Sequence, residues 1–325
     1  MEAVSRTLVL ILAGVLFGSI VGAAYAQQPY PNRPIRFITP YAPGGSTTVY
    51  ARLIGQHFTE RWGQNVVVDN RPGGNTVIGT EALARAAPDG YTIMLIASTH
   101  AILSSIIKTP YDPVRDFAPI AGIAVAPQVM VINPGLPART VQEVIALARA
   151  KPEQLNFASS GAGGPTHIAG EMFNILAGVK VQHVPYKGAG QAMIDVIGGQ
   201  VQMFFSVPVN IIAHVKAGRL RAIAVTGDQR VGSMPDTPTF AEAGLPGLNV
   251  QTWNGVLAPA GTPRPIINQL SSEIGVMLAR PDVKAKFEAF GATPVYSNAD
   301  QFAAMIKSEI AIYQKVVKAA NIRID

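Results

Sequence analysis

No cysteine occurs among the 325 residues, which excludes disulfides, thiolate metal sites and cysteine nucleophiles. Charge is also sparse. Asp, Glu, Lys and Arg make up 14% of the chain, and the basic residues are scattered rather than clustered. A net charge of +6 spread in this way, without interleaved aromatics, does not describe a nucleic-acid binder, and no nucleic-acid partner is expected. It fits a mildly basic protein that attracts anionic solutes. The five histidines, His57, His100, His167, His183 and His214, fall in no HExxH or HxH pattern, so no metal site is expected. No glycine-rich stretch matches a nucleophile elbow, a P-loop or a GxGxxG fingerprint, and no acid pair is spaced for general acid–base work. No catalytic residue and no cofactor are expected. A secreted serine hydrolase using Ser46 or Ser159 is the minority alternative.

Long apolar runs are missing too, apart from residues 8–21 near the N terminus. That run follows Arg6 and precedes Ala24-Tyr25-Ala26, the order of a secretory signal peptide cut after Ala26. It is shorter than the roughly 20 residues needed to cross a bilayer. A disulfide-free exported chain of this size fits a bacterial periplasm. The rest, residues 27–325, is long enough for two lobes with separate cores.

What the sequence does have is glycine, 31 in all, placed between strand-like and helix-like runs. A strand over 35–39 precedes Pro43-Gly44-Gly45-Ser46-Thr47-Thr48 and a helix over 47–62. A strand over 155–158 precedes Ser159-Ser160-Gly161-Ala162-Gly163-Gly164-Pro165-Thr166-His167 and a helix reaching 176. Further strands are expected over 65–69, 91–97, 181–184, 201–205 and 220–226. Further helices are expected over 77–87, 141–150, 210–217, 265–278 and 299–318, the helix over 141–150 capped by Thr140 with Glu143. This alternation predicts an α/β protein whose sheets are mixed and mainly parallel, flanked by helices. The extended stretch over 117–133 is the expected passage into a second lobe, which places lobe 1 in 27–125 and 226–325 and lobe 2 in 126–225.

Glycine lets backbone approach a ligand, and a helix start offers free N–H groups and a positive dipole end. The two turns are therefore expected to face each other across a cleft and hold a carboxylate or phosphate without a cation. An ordinary strand-to-helix connection is the alternative for each turn. Ser98-Thr99-His100 after the third strand and Tyr186-Lys187-Gly188 after 181–184 occupy further strand ends, where ligands sit in open α/β sheets. His167 could contact an anion or simply pack at its helix start. Arg71 is expected to pair with Asp69, and Trp253 to pack in a core.

The motifs Tyr41-Ala42-Pro43-Gly44-Gly45, Val68-Asp69-Asn70-Arg71-Pro72-Gly73-Gly74 and Pro88-Asp89-Gly90-Tyr91-Thr92 resemble those of the substrate-binding receptors of tripartite tricarboxylate transporters, the Bug receptors. So do Ser159-Ser160-Gly161, Val184-Pro185-Tyr186-Lys187-Gly188 and Leu257-Ala258-Pro259-Ala260-Gly261-Thr262-Pro263. The resemblance runs through essentially the whole chain after residue 26. It implies a two-lobed periplasmic binding-protein fold of type II character that closes on a small organic acid and delivers it to integral-membrane transporter subunits, as a monomer. A receptor that presents its closed form to a membrane signalling protein is the runner-up. Carried over by position, the implied ligand-binding residues are Tyr41, Gly44, Gly45, Ser46, Thr47, Thr48, Ser98, Thr99, Ser159, Ser160, Gly161, Gly164, Thr166, His167, Tyr186, Gly188 and Ser206. The family often has aspartates where this chain has Thr48 and Ser206. Their replacement disfavours amino acids and points to an unsubstituted carboxylate, a dicarboxylate with an apolar middle.

Overall fold

In the computed structural model, residues 30–319 are described, Glu153 excepted. The signal peptide expected over 1–26 lies outside the described residues. Strand β1 (Ile35–Thr39) is followed by α1 (Ser46–Trp62), β2 (Val66–Asn70), α2 (Val77–Ala84), β3 (Thr92–Ala97) and the short α3 (Thr99–Leu103). Helix α1 buries Tyr50, Ile54 and Phe58, an i, i+4, i+8 row that turns one face inward. Both β2 and β3 pair with β1 in parallel, with Ile38 opposite Asp69 and Phe37 opposite Ile93. Parallel pairing requires the crossover helices that the sequence places between these strands.

Next, β4 (Phe117–Pro127) runs into β5 (Val129–Ile132) with only Gln128 between them. The order then is α4 (Val141–Ala150), β6 (Asn156–Ser159), α5 (Pro165–Ala177), β7 (Gln182–Pro185), α6 (Ala189–Ile197), β8 (Met203–Ser206), α7 (Pro208–Lys216) and β9 (Arg221–Val225). The capping pair expected at α4 forms: Thr140 Oγ1 accepts from Glu143 N at 3.2 Å and Glu143 accepts from Arg139 N. The chain returns through β10 (Gln251–Pro259), α8 (Arg264–Ala279), α9 (Pro281–Ala289), β11 (Thr293–Ser297) and α10 (Ala299–Ala319).

Two mixed sheets result, ordered β11-β4-β10-β3-β1-β2 and β7-β6-β8-β5-β9. Each contains a parallel block, β2-β1-β3 or β7-β6-β8, completed by an antiparallel neighbour, β10 or β5. Antiparallel strands hold more of the sheets than helix alternation alone implies, because β10 and β5 enter from the opposite lobe. The six-stranded sheet packs Ile38, Met94, Leu257 and Phe302 into one core. The five-stranded sheet packs Phe157, Phe173, Phe205 and Phe240 into another. Each such fully buried side chain contributes about 1.5–3 kcal/mol. Gly170 in α5 is demanded by this packing, since a Cβ there would sit 2.1 Å from the Phe157 ring.

The chain crosses between the sheets twice, from β4 to β5 and between β9 and β10, and the crossings are tied together. Gln128 N donates to Thr226 Oγ1 and Thr226 N donates to Gln128 O, both at 2.8 Å. Thr226 Oγ1 donates to Val250 O at 2.6 Å, and Gln128 Nε2 reaches Thr252 Oγ1. Both Gln128 and Thr226 are fully buried.

Candidate functional site

The C-terminal ends of β1, β3, β6 and β8, with the segments that follow them, meet between the lobes around two small cavities. The first, about 50 Å³, is lined by Tyr41, Ala42, Gly45, Ser46, Thr47, Ala97, Thr99, Ser160, Pro165, Thr166, Ala189, Ser206, Val207, Asn210 and Thr252. The second, about 30 Å³, shares Tyr41, Thr99 and Ser160 and adds Pro40, Gly73, Asn75, Thr76, Gly161, Ala162, Gly164, Tyr186 and Lys187. At 10–15 Å³ per water-sized group, these spaces suit a compact head group. The lobes touch around them. Ala42 N donates across the cleft to Lys187 O at 3.3 Å, and a Cβ on Gly188 would lie 3.1 Å from the Ala42 side chain.

Besides the short α3, which starts at Thr99, four helices begin at the first cavity: α1 through Ser46 and Thr47, α5 through Pro165 and Thr166, α6 through Ala189, and α7 just before Asn210. The caps of α1 and α5, Gly45 and Gly164, are extended, with φ −94° and −89°, and neither supplies a capping side chain. The first N–H groups of α1, and those of α5 after Pro165, which has none, are left for a ligand, and the dipole ends add positive potential. No charged residue lines this cavity. Its polar groups are hydroxyls and one amide.

The first turn is braced from below by Asn70. Its Nδ2 faces Tyr41 O at 2.9 Å, Thr48 Oγ1 at 2.8 Å and Thr39 Oγ1 at 2.5 Å. Asp69 next to it accepts from both Arg36 (2.6 Å) and Arg71 (2.8 Å). Its carboxyl sits below the ordinary carboxylate range, the two guanidinium hydrogen bonds together outweighing the opposing effect of burial. Burial drives the Tyr41 phenol well above its ordinary value, so the cleft meets a neutral hydroxyl.

A different brace holds the second turn. Ser160 N donates to Thr166 Oγ1 at 3.0 Å, and Gly163 N donates to His167 Nδ1 at 3.0 Å. The His167 ring stacks on His183 with centroids 3.8 Å apart, and His183 Nε2 lies 2.6 Å from Ser159 Oγ. Burial, reinforced by His167, drives the His183 pKa down to about 3. Its imidazole is therefore neutral and shares a hydrogen bond with the Ser159 hydroxyl, while Ser159 Oγ accepts from Gly161 N at 3.3 Å. Ser159 is fully buried, so this Ser–His contact fastens a loop and presents no nucleophile to solvent.

Of the residues expected to bind ligand, Tyr41, Gly45, Ser46, Thr47, Thr99, Ser160, Gly161, Gly164, Thr166, Tyr186 and Ser206 line a cavity. Gly44, Thr48, Ser98, Ser159, His167 and Gly188 line neither cavity. Thr48 is 2% exposed and turned to Asn70, Ser98 is fully buried, and Gly44 is an exposed turn residue with φ 92°. The Tyr186 hydroxyl donates to Asp195 at 2.6 Å. Burial, and then that carboxylate, push its pKa up to about 12, so what Tyr186 offers the cleft is ring and backbone. Sequence reasoning missed Asn70, Asn75, Thr76, Asn210 and Thr252. Asn210 donates to Ser206 Oγ at 3.0 Å, and its Oδ1 is buried without a partner beside the first cavity. Its signal was present: a Pro-x-Asn helix start directly after the β8 strand end.

A family model described as the tripartite tricarboxylate transporter family receptor matches residues 50–322. BugT of Bordetella pertussis is 35% identical over 324 residues, covering 98% of this chain and 99% of its own. A protein of R. palustris solved with adipate superposes with a TM-score of 0.88 at 31% identity, covering 90% of this chain and 99% of its own. MatC of Rhodopseudomonas palustris, solved with bound malate, gives a TM-score of 0.81 at 29% identity, with 89% and 100% covered. Solved periplasmic binding proteins share the two-lobed fold described above.

Proposed function

The chain belongs to the receptor family of the tripartite tricarboxylate transporters, and from that membership we propose that it captures a small carboxylate between its lobes and hands it to membrane transporter subunits. The family and its solved relatives are substrate-binding receptors rather than enzymes. The observation that carries the ligand class is the convergence of four helix starts on a cavity without a charged lining residue. Such a place stabilises a carboxylate through N–H groups, hydroxyls and aligned dipoles, and offers an ammonium group no counter-charge. Tyr41, Gly45, Ser46, Thr47, Thr99, Ser160, Thr166 and Ser206 are the proposed contacts. Relatives solved with adipate and malate support the same class.

In this reading the chain acts in the periplasm as a monomer after removal of residues 1–26. Lobe 1 comprises 27–125 and 226–325, and lobe 2 comprises 126–225. The anion bridges the lobes and stabilises their closed arrangement by the contacts it makes only there.

Native mass spectrometry of the mature protein, before and after unfolding and refolding to strip ligand, tests this. A small anion that returns selectively from a panel of organic acids is the expected result. Tighter binding of an amino acid than of any dicarboxylate, or no acid binding, would overturn it.

A further inference from the structure

Helix α9 lies outside both cavities and packs against two of the elements that begin at the first one. Toward α1, Phe287 is fully buried and stacks on Tyr50 with ring centroids 4.9 Å apart, one turn beyond Ser46. Toward α7, the chain leaves α9 through Gly291, which is buried with φ 69°. A Cβ there would run into the Pro208 ring, 2.7 Å from its Cγ, and lie 2.9 Å from Ser233 Oγ. Pro208 is the first residue of α7 and follows Ser206 and Val207, which line the first cavity. Val231 and Met234, on either side of Ser233, pack with Val131 and Phe204 of the five-stranded sheet, whereas Gly291 leads into β11 of the six-stranded one. The contact therefore joins the two lobes. It borders a groove of about 730 Å³ between α9 and the turn over 227–233, beside the crossings at Pro127 and Thr226. Ser233 Oγ is buried there with no hydrogen-bond partner. The seat is one of shape, and it parts without breaking a hydrogen bond at that hydroxyl.

Resting on the receptor reading above, we propose that Gly291 is a positioning residue for ligand capture: seated against Pro208 and Ser233, it is the stop on which the lobes come to rest. Through Pro208 it sets how near the start of α7 approaches the start of α1 across the first cavity. Only a corner without a Cβ lets the proline ring in that far. When the lobes part, the seat empties into the groove beside it.

Spin labels on Arg52→Cys in α1 and Lys216→Cys in α7, both exposed positions in a chain with no cysteine of its own, report the lobe separation of the mature protein with and without adipate. Adipate is expected to shift the wild type toward the shorter distance. Gly291→Ala holds the labels apart and weakens adipate binding by about tenfold or more, the effect of one crowding methyl. Gly63→Ala is the matched control, since Gly63 has the same φ of 69° and a Cβ there would meet nothing within 4 Å. It adds backbone strain without crowding and leaves distance and affinity as in the wild type. In a Pro208→Gly background, which removes the ring, Gly291→Ala loses most of its effect. Gly291→Ala behaving like Gly63→Ala, or costing as much with Pro208→Gly as without it, overturns the stop while the receptor reading stands. A wild type that binds neither adipate nor any other organic acid overturns the receptor reading instead. The stop is then judged in the ligand-free protein, where Gly291→Ala must lengthen the label distance and Gly63→Ala must not.

Discussion

The two glycine-rich turns look alike in sequence and are built differently. In the first, a Cβ on Gly44 or Gly45 would meet nothing within 4 Å, and glycine is required at Gly44 for its conformation, φ 92°. In the second, Gly161 and Gly163 are likewise at positive φ, 155° and 71°, and a Cβ on Gly164 would lie 3.3 Å from Gly161 O in the same turn and from Thr99 Oγ1 in the other lobe, so proximity is added there to conformation. Their supports differ as well. One asparagine side chain, which does not titrate, holds the first turn. A buried serine and two stacked histidines hold the second. The same surface function rests on a pH-indifferent brace in one lobe and a titratable brace in the other.

The heaviest blow to this contrast is Asn70→Ala, which strips the shared donor from Tyr41 O, Thr48 Oγ1 and Thr39 Oγ1. Acceptors left unsatisfied in a part-buried loop cost about 2 kcal/mol. Thermal unfolding is expected to show a clearly lower Tm and titration a weaker ligand affinity; a variant equal to wild type in both would remove Asn70 from the account.

Gly188→Ala sharpens the distinction between conformation and proximity. The new methyl would meet Ala42 Cβ at 3.1 Å and Ala42 N at 3.2 Å across the cleft. The alanine is also strained at φ 158° whether the lobes are open or closed, but only the closed arrangement is crowded, so ligand affinity falls about tenfold, or 1.4 kcal/mol, in addition to a lowered Tm. Gly44→Ala, facing open space, strains its own backbone by about 1 kcal/mol and changes affinity far less. Equal affinity losses in the two variants would show that closeness plays no special part.

The smallest effect at neutral pH is that of His183→Gln, and it grows with acid. The folded His183 pKa is about 3 against an ordinary 6.5, so the unfolded chain takes up the proton first. The stability concerned is complete above pH 6.5 and is lost as pH falls toward 3. Buried His100, lowered to about 4 by burial, adds a slope of the same sign from the other lobe. Asp69 and Asp112, held below the ordinary 3.8, begin to contribute only at more acidic pH. Tm measured between pH 6.5 and 4 is expected to decline less steeply in His183→Gln than in wild type. Parallel curves would show that His183 does not titrate with unfolding.

The positions of both turns were legible because glycine, serine and threonine follow an apolar strand and precede a helix, a local pattern that fixes where free N–H groups collect. Most lining residues follow from that pattern. What it cannot supply is which side chain faces the cleft and which lies one layer down. Thr48 and Ser98 look as available as Thr47 and Thr99, and only the packing of Asn70 and Trp253 separates them; Ser98 N donates to Trp253 O at 3.1 Å. Ser159 met its histidine through β7, 24 residues away, a pairing set by parallel strand register. Asn75 and Thr76 escaped notice because positive φ is ordinarily glycine's territory. In the fold, α9 and β11 were not anticipated, and β10 and β5 make the sheets more antiparallel than alternation implied. The double crossing of the chain, which creates that arrangement, is a property of the whole topology.

That double crossing has a mechanical consequence. Two strands riveted side by side through Gln128 and Thr226 resist sliding and twisting, since either would tear buried hydrogen bonds from their partners. Swinging about the line through both rivets leaves the bonds intact. The molecule is thereby reduced to a pair of jaws with a single easy coordinate, one angle. In the receptor reading proposed above, occupancy is written into that angle, and a membrane partner would need to gauge only one spacing between the jaws to tell a loaded molecule from an empty one.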